Sequence, residues 1–428
     1  MKTRSPMLFI FLNVFIDLLG VGIVLPLLPY YVKLVEQSGN VWFADNRALL
    51  VGGLTAAFSL VQFISVPLLG ALSDRYGRRP ILLLSLFGTG LSYVLFALAD
   101  RFIAFGAEAV MLALFVARII DGFTGANIST AQAYIADITK PEERAKGMGM
   151  IGAAFGLGFM LGPAIGGLLA QMSLATPSIV AAVLCFGNVL FGFFNLPESL
   201  PVERRSTRMT AAQLNPVTRL QGVLNNATIR PLIIGSMLLS LAFAGLQNNF
   251  AVFSDVRFSF GPTDNAFVFA LIGVVAVIMQ GFLISRLVPR FGEARLAITG
   301  MTLMATAFAL VALVPQGWML YPTLALLSIG SGMANPSITS MISRRVSPGQ
   351  QGATLGGLQA INSLTMIVGP IYAGLVFDNV AISAPYLSGA AFIATAVTIV
   401  AVALRTTTIT RTLPSMPVTM EQRMRVEL

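Results

Sequence analysis

Apolar residues in this chain run in blocks too long for a soluble domain. Stretches without any Asp, Glu, Lys or Arg cover residues 48–73, 80–99, 147–197, 231–254, 265–285, 296–343, 346–377 and 379–404. A helix needs about 20 mainly apolar residues to cross a bilayer. Two blocks are double length. One breaks at Ser173–Pro177 and the other at Pro315-Gln-Gly317, each a short polar or Pro/Gly turn. Ten spans result. Residues 7–30, which contain Asp17, and 109–130, which contain Arg118 and Asp121, add two charged ones. The first is too long for a signal peptide, holds an acid and lacks an Ala-x-Ala site, so it is read as helix 1. The pattern predicts an all-α integral membrane protein with twelve transmembrane helices.

Basic residues set the orientation. With an even number of spans, 22 Lys and Arg fall on the side of the termini. Only Lys33, Arg47, Arg101 and Arg257 fall on the other, and Arg118 lies within a span. This asymmetry predicts cytoplasmic termini and accounts for the net charge of +9 without nucleic acid. The charged segment 198–230 splits the spans six and six. The expected units are an N-terminal bundle (1–197), a cytoplasmic linker (198–230), a C-terminal bundle (231–405) and a cytoplasmic tail (406–428).

The two halves echo each other. Gly70–Arg79 recurs loosely at Gly281–Gly292, Ala126-Asn127 at Ala334-Asn335, and Gly162-Pro163 at Gly369-Pro370. The offsets of 211, 208 and 207 residues nearly agree. A common register of this kind points to duplication and to two bundles rocking about a midplane site. Chance recurrence in a Gly- and Pro-rich chain is the competing explanation.

Composition removes much chemistry. The chain has no His and one Cys, Cys185. A His-based metal or proton relay, an intrachain disulfide and a multi-cysteine metal site are therefore absent. Gly147-Met-Gly-Met-Ile-Gly152 enters a membrane helix with no preceding strand, so it is no dinucleotide site, and the sequence lacks the Gly-Lys of a P-loop. Neither Asn127-Ile-Ser129 in a helix nor Asn226-Ala-Thr228 on the cytoplasmic side is expected to be glycosylated. No cofactor, no metal and no enzymatic activity are expected.

Attention falls on the charges inside spans. A charge at mid-bilayer costs roughly 2.5–3.5 kcal/mol on insertion scales, so such groups usually face a cavity and function. Asp17 is a candidate proton carrier; the alternative is a structural partner for Arg118. Asn13 lies one turn away on the same face and is a candidate hydrogen-bond partner. Arg118 and Asp121, spaced i, i+3, can pair. Arginine does not deprotonate, so it can bias a carboxylate but not carry the proton. Either Asp17 and Asp121 compete for Arg118, or Arg118–Asp121 is a static pair that makes insertion tolerable. Polar residues within apolar helices are candidates for the substrate cavity: Asn13, Gln62, Asn127, Gln132, Gln247, Asn248, Gln280, Asn335, Gln359 and Asn362. The competing role for these amides is bridging helices. Thirty Phe and 19 Met suit a promiscuous apolar site.

Four motifs carry a family resemblance. Gly70-Ala-Leu-Ser-Asp-Arg-Tyr-Gly-Arg-Arg79 resembles the loop 2–3 signature of the major facilitator superfamily. Arg118-Ile-Ile-Asp-Gly122 resembles its helix 4 signature. Gly158-x-x-x-Gly162-Pro163-x-x-Gly166-Gly167 is similar to the helix 5 antiporter motif, and Asp17–Pro29 to helix 1 of drug:proton antiporters, tetracycline efflux proteins in particular. The resemblance implies the two-bundle fold and proton-coupled export of hydrophobic drugs by a monomer in the bacterial cytoplasmic membrane. The alternative is a carrier of another small solute or lipid-like molecule.

The resemblance also implies a gate in loop 2–3, formed by Gly70, Asp74, Arg75, Gly77, Arg78 and Arg79 with Asp137 as an acidic partner. Asp74 would accept hydrogen bonds from a helix N-terminus across the interface, and the bases would hold cytoplasmic acids or lipid headgroups. Positive-inside anchoring is the simpler role for those bases. The glycines of helix 5 would seal the two halves; plain packing is the alternative. The likeness departs in two places. Leu91-Ser92-Tyr93 stands where tetracycline exporters carry an acid in helix 3, and the second half has no acid deep in a span.

Overall fold

The computed structural model describes residues 4–36, 41–125, 127–139, 144–205, 224–346 and 351–412. These residues are helical with no strand, and eleven helices are long and apolar enough to cross a membrane. The first six spans are α1 (Pro6–Val35), α2 (Arg47–Tyr76), α3 (Arg78–Ala97), α4 (Ala107–Ile138), α5 (Met150–Leu169) and α6 (Ala175–Asn195). The next are α7 (Arg230–Phe258), α8 (Pro262–Phe291) and α9 (Glu293–Leu313), then α11 (Gly356–Asn379) and α12 (Ala384–Arg405). Between them α10 (Leu320–Ser343) has the same length, with Ser, Gly, Asn and Pro diluting its apolar character. Twelve long helices are thus found among the described residues. Residues 206–223 of the expected linker, residues 413–428 of the tail, and Ala126 lie outside them.

The helices pair in the same way in each half. α1 packs on α5 and α6, α2 on α4, and α3 on α6; in the second half α7 packs on α11 and α12, α8 on α10, and α9 on α12. Across the halves α2 packs on α11 and α5 on α8, a reciprocal pair. The repeated Gly-Pro motif sits at matching positions. A Cβ on Gly162 would meet Gly22 and Leu19 of α1, and one on Gly369 would meet Ala244 and Leu241 of α7.

Three helices depart from regularity. α1 tightens into a 3₁₀ turn at Leu25–Leu27, around Pro26. α4 loses helical bonding at Thr124–Gly125, and α8 carries a π turn at Met279–Leu283. Breaks of this kind within spans are tolerated where side chains or a cavity satisfy the freed backbone.

Candidate functional site

The charged residues predicted from the sequence converge. Arg118 and Asp121 face inward from α4, only 4% and 3% exposed, with Nη2 of the arginine 3.1 Å from Oδ2 of the acid. Helical spacing alone brings them together. The guanidinium also lies between two rings, 4.8 Å from the centroid of Phe96 and 5.3 Å from that of Phe58. A cation on ring faces in a dry environment is held more strongly than one in water. Asp121 lies beside Thr89 of α3.

Asp17 approaches the same place from α1, beside Asn127. Asn13 does not bond to it: its Nδ2 donates to Asn127 Oδ1 at 2.6 Å, and both amides are fully buried. The ion pair of Arg118 is with Asp121, and Asp17 keeps some accessible surface. Two carboxylates and one guanidinium leave one negative charge uncompensated, which a single proton neutralises. Among the described residues no group of three His, Cys, Asp or Glu could hold an ion.

The break in α4 lies one turn from this centre. Thr124 Oγ1 donates to Ile120 O at 2.9 Å, and the Gly125 carbonyl accepts from Gln62 Nε2 at 3.3 Å. Gln62 thus supports the broken backbone from α2. Of the other amides, Asn248 is buried and accepts from Thr55 Oγ1 across the two halves, while its Nδ2 donates to Asn249 at 3.1 Å. Asn362 accepts from Ser240 at 2.9 Å. Gln132, Gln280, Asn335 and Gln359 are exposed, Gln280 within the π turn, and Gln247 is half-buried.

The glycines of α5 divide between two neighbours. Gly158, Gly162 and Gly166 face α1 so closely that any Cβ would meet its backbone, whereas Gly167 faces Pro262 and Ala266 of α8. Pro163 lies against Gly22. Most of the stripe therefore joins helices of one half, and its last glycine reaches the other.

Loop 2–3 folds onto its own half. Gly77 turns the chain with φ +110°, and a Cβ there would overlap the Glu198 carboxylate. Glu198 caps α3, accepting from the backbone N–H of Arg78 at 2.8 Å and of Arg79 at 3.2 Å. Arg78 bonds Asp137 at 3.2 Å, pairs with Asp74 and reaches Ser73 Oγ at 2.7 Å. Asp74 is thus held by Arg78 rather than by a helix of the second half. Arg79 bonds Phe193 O, Arg75 lies over the ring of Tyr76, and a Cβ on Gly70 would meet nothing.

At the end opposite the linker the halves are clasped. Asp255 of α7 accepts from Arg47 at 2.6 Å and Lys33 at 3.0 Å. Asp378 of α11 accepts from the backbone N–H of Leu49 at 2.8 Å and of Ala48 at 3.3 Å, at the start of α2. Tyr30 donates to Phe260 O at 3.0 Å and accepts from Asn265 at 2.7 Å. Sequence reasoning missed Glu198 and these acids as partners, because their bonds link residues 119 to 330 positions apart. The aromatic neighbours of Arg118 were equally invisible among 30 Phe.

The sequence model of the Major Facilitator Superfamily matches residues 10–292 and 281–418. The chain belongs to the Major Facilitator Superfamily. It is 35% identical over 393 residues to the tetracycline resistance protein, class C, of Escherichia coli, covering 92% of this chain and 94% of that one. It is 32% identical to the mouse major facilitator superfamily domain-containing protein 10, over 87% of each chain. The crystal structure of the human organic anion transporter MFSD10 superposes with a TM-score of 0.69 at 27% identity, over 94% of this chain and all of that one. A D-xylose–proton symporter, at 17% identity and a TM-score of 0.73 over 93% of this chain and 97% of that one, shares the fold. The likeness to tetracycline efflux proteins holds. This facilitator is a multi-pass membrane transporter of small molecules and not an enzyme.

Proposed function

We propose that the protein is a proton-coupled exporter of hydrophobic or amphiphilic drugs, tetracycline-like or multidrug, working as a monomer by alternating access. The observation that carries this reading is the Asp17, Arg118 and Asp121 cluster, with its single uncompensated charge in an apolar interior. Asp17, the most accessible of the three, takes up the proton, and Arg118 holds Asp121. Residues 1–197 and 231–405 act as the two rocking bundles, joined by the cytoplasmic linker 198–230, with 406–428 as a cytoplasmic tail. The basic linker side faces the cytoplasm of a bacterial cell. On this orientation the clasp at Asp255 and Asp378 closes the outer end, and the conformation is the inward-facing one. Thr55, Asn248 and the accessible amides line the path between the halves.

The test is transport into proteoliposomes under an imposed pH gradient, with tetracycline as the probe. Asp17→Asn is expected to abolish gradient-driven accumulation while leaving exchange at equal pH. Full coupling in that variant would overturn the assignment. The likeness to an organic anion transporter supports a second reading, a carrier for another small solute without proton coupling. That reading predicts transport of an organic anion at the same rate with and without the gradient.

A further inference from the structure

We propose that Tyr93 is a positioning residue of the acid site: its phenol O–H serves as a shared donor to whichever of Asp17 and Asp121 is ionised. The inference rests on the proton-coupling reading above.

Tyr93 on α3 is fully buried, and its hydroxyl has no hydrogen-bond partner among the described residues. Buried polar groups seldom stay unpaired, and each exception calls for a reason. Other buried tyrosines of the first half are satisfied: Tyr31 by Leu174 O and Ser178, and Tyr134 by Pro197 O. Tyr386 in the second half is also unpartnered, but no charged group faces it. Tyr93 differs. It is faced by Asp17 from α1, Arg118 and Asp121 from α4, and the Cys185 thiol from α6.

The placement is specific. The hydroxyl crosses from α3 to α1 and rests on Gly20, where any Cβ would overlap it. Gly20 lies one turn beyond Asp17, so the phenol oxygen is carried to the acid-bearing face of that helix. Arg118 is already engaged with Asp121 and two rings, which leaves no cation for Asp17. A phenol can donate to a carboxylate or accept from a carboxylic acid. Rotation about its C–O bond exchanges those roles without backbone movement. Tyr93 keeps its own proton throughout, and the transported proton resides on a carboxyl.

The test needs no substrate. Full-length protein in lipid nanodiscs is titrated by infrared spectroscopy, following the C=O band of protonated carboxyl groups, with Asp17→Asn and Asp121→Asn assigning the bands. Tyr93→Phe removes one oxygen and keeps the ring. Its titration midpoint is expected to move about one pH unit toward alkaline values, the size of losing one hydrogen bond to an ionised group. The pH profile of transport should shift with it, at unchanged unfolding temperature. An unchanged midpoint overturns the proposal. Should Tyr93→Phe not fold, Gly20→Ala, which displaces the hydroxyl from the other side, is expected to give the same shift, and an unshifted midpoint there overturns it equally. If no carboxyl band titrates in the parent, the proton-coupling reading itself fails and the role of Tyr93 falls with it.

Discussion

Asp255→Asn should open the end of the molecule opposite the linker. The carboxylate is 12% exposed and Arg47 9%, at 2.6 Å; Lys33 completes the triad but is 46% exposed. An exposed pair contributes about 0–1 kcal/mol. Removing one partner of a buried pair costs up to about 3–5 kcal/mol, because the other charge is left buried. Asparagine still offers one acceptor, so we take about 2 kcal/mol for the Arg47 arm. That is a factor of about 30. The loss falls on the clasped state alone, since a parted Arg47 regains water. A population clasped at about 99:1 would drop to about 3:1.

Spin labels at Trp42→Cys and Val380→Cys, exposed residues at this end of each half, read the opening by electron–electron distance measurement. The native Cys185 is fully buried and escapes labelling. Asp255→Asn should add a long-distance population that the parent lacks. Lys33→Ala should shift the ratio by less than about fivefold. Asp264→Asn is the control, because Asp264 accepts from Gly261 N–H within its own half. Identical distance distributions in Asp255→Asn and the parent would refute the idea that this triad holds the halves together.

Two further expectations concern stability in detergent. Glu198→Gln removes the charged cap of α3 and should lower stability by about 1 kcal/mol, read as a lower unfolding temperature; an unchanged temperature would show the cap to be idle. Gly162→Ala and Gly70→Ala make a contrasting pair: the first places a Cβ against Gly22 and Leu19 and should cost about 1–3 kcal/mol, while the second meets nothing and should be neutral. Equal unfolding temperatures for the two variants would contradict the close approach of α1 and α5.

The fold was legible because the bilayer demands long apolar runs, and blocks bounded by Arg47, Asp74, Arg79 and Asp100 translate directly into helices. The ionisable centre was legible for the same reason, since a charge at Asp17 or Arg118 stands out against 11% charged residues. Partners were not. Asn13 was expected to serve Asp17, but the turn that carries it faces Asn127 on α4, and only the crossing of two helices decides between them. Asp74 was expected to reach the second half and is held by Arg78 one turn away. Tyr93 was noted only as standing where an acid was expected, since a tyrosine in an apolar helix looks like core until its hydroxyl is seen among acids.

The division of labour between the halves follows from where charge is tolerated. Every Asp, Glu, Lys or Arg deep in a span belongs to α1 or α4, so under the proposed coupling the energy of proton binding enters the first half alone. On that reading it reaches the second half through contacts, and α5 is one helix placed to carry it. One row of its glycines lies against α1, which bears Asp17, while Gly167 and Met160 lie against Pro262, Ala266 and Gly273 of α8. The glycines on the face of α5 toward α1 let a shift of α1 pass to α5, because close-packed interiors transmit displacement rather than damp it. Under the proposed coupling, a carboxyl that changes charge on α1 acts on the seam between the halves through one intervening helix. On that reading the second half needs no acid of its own in the bilayer to be driven.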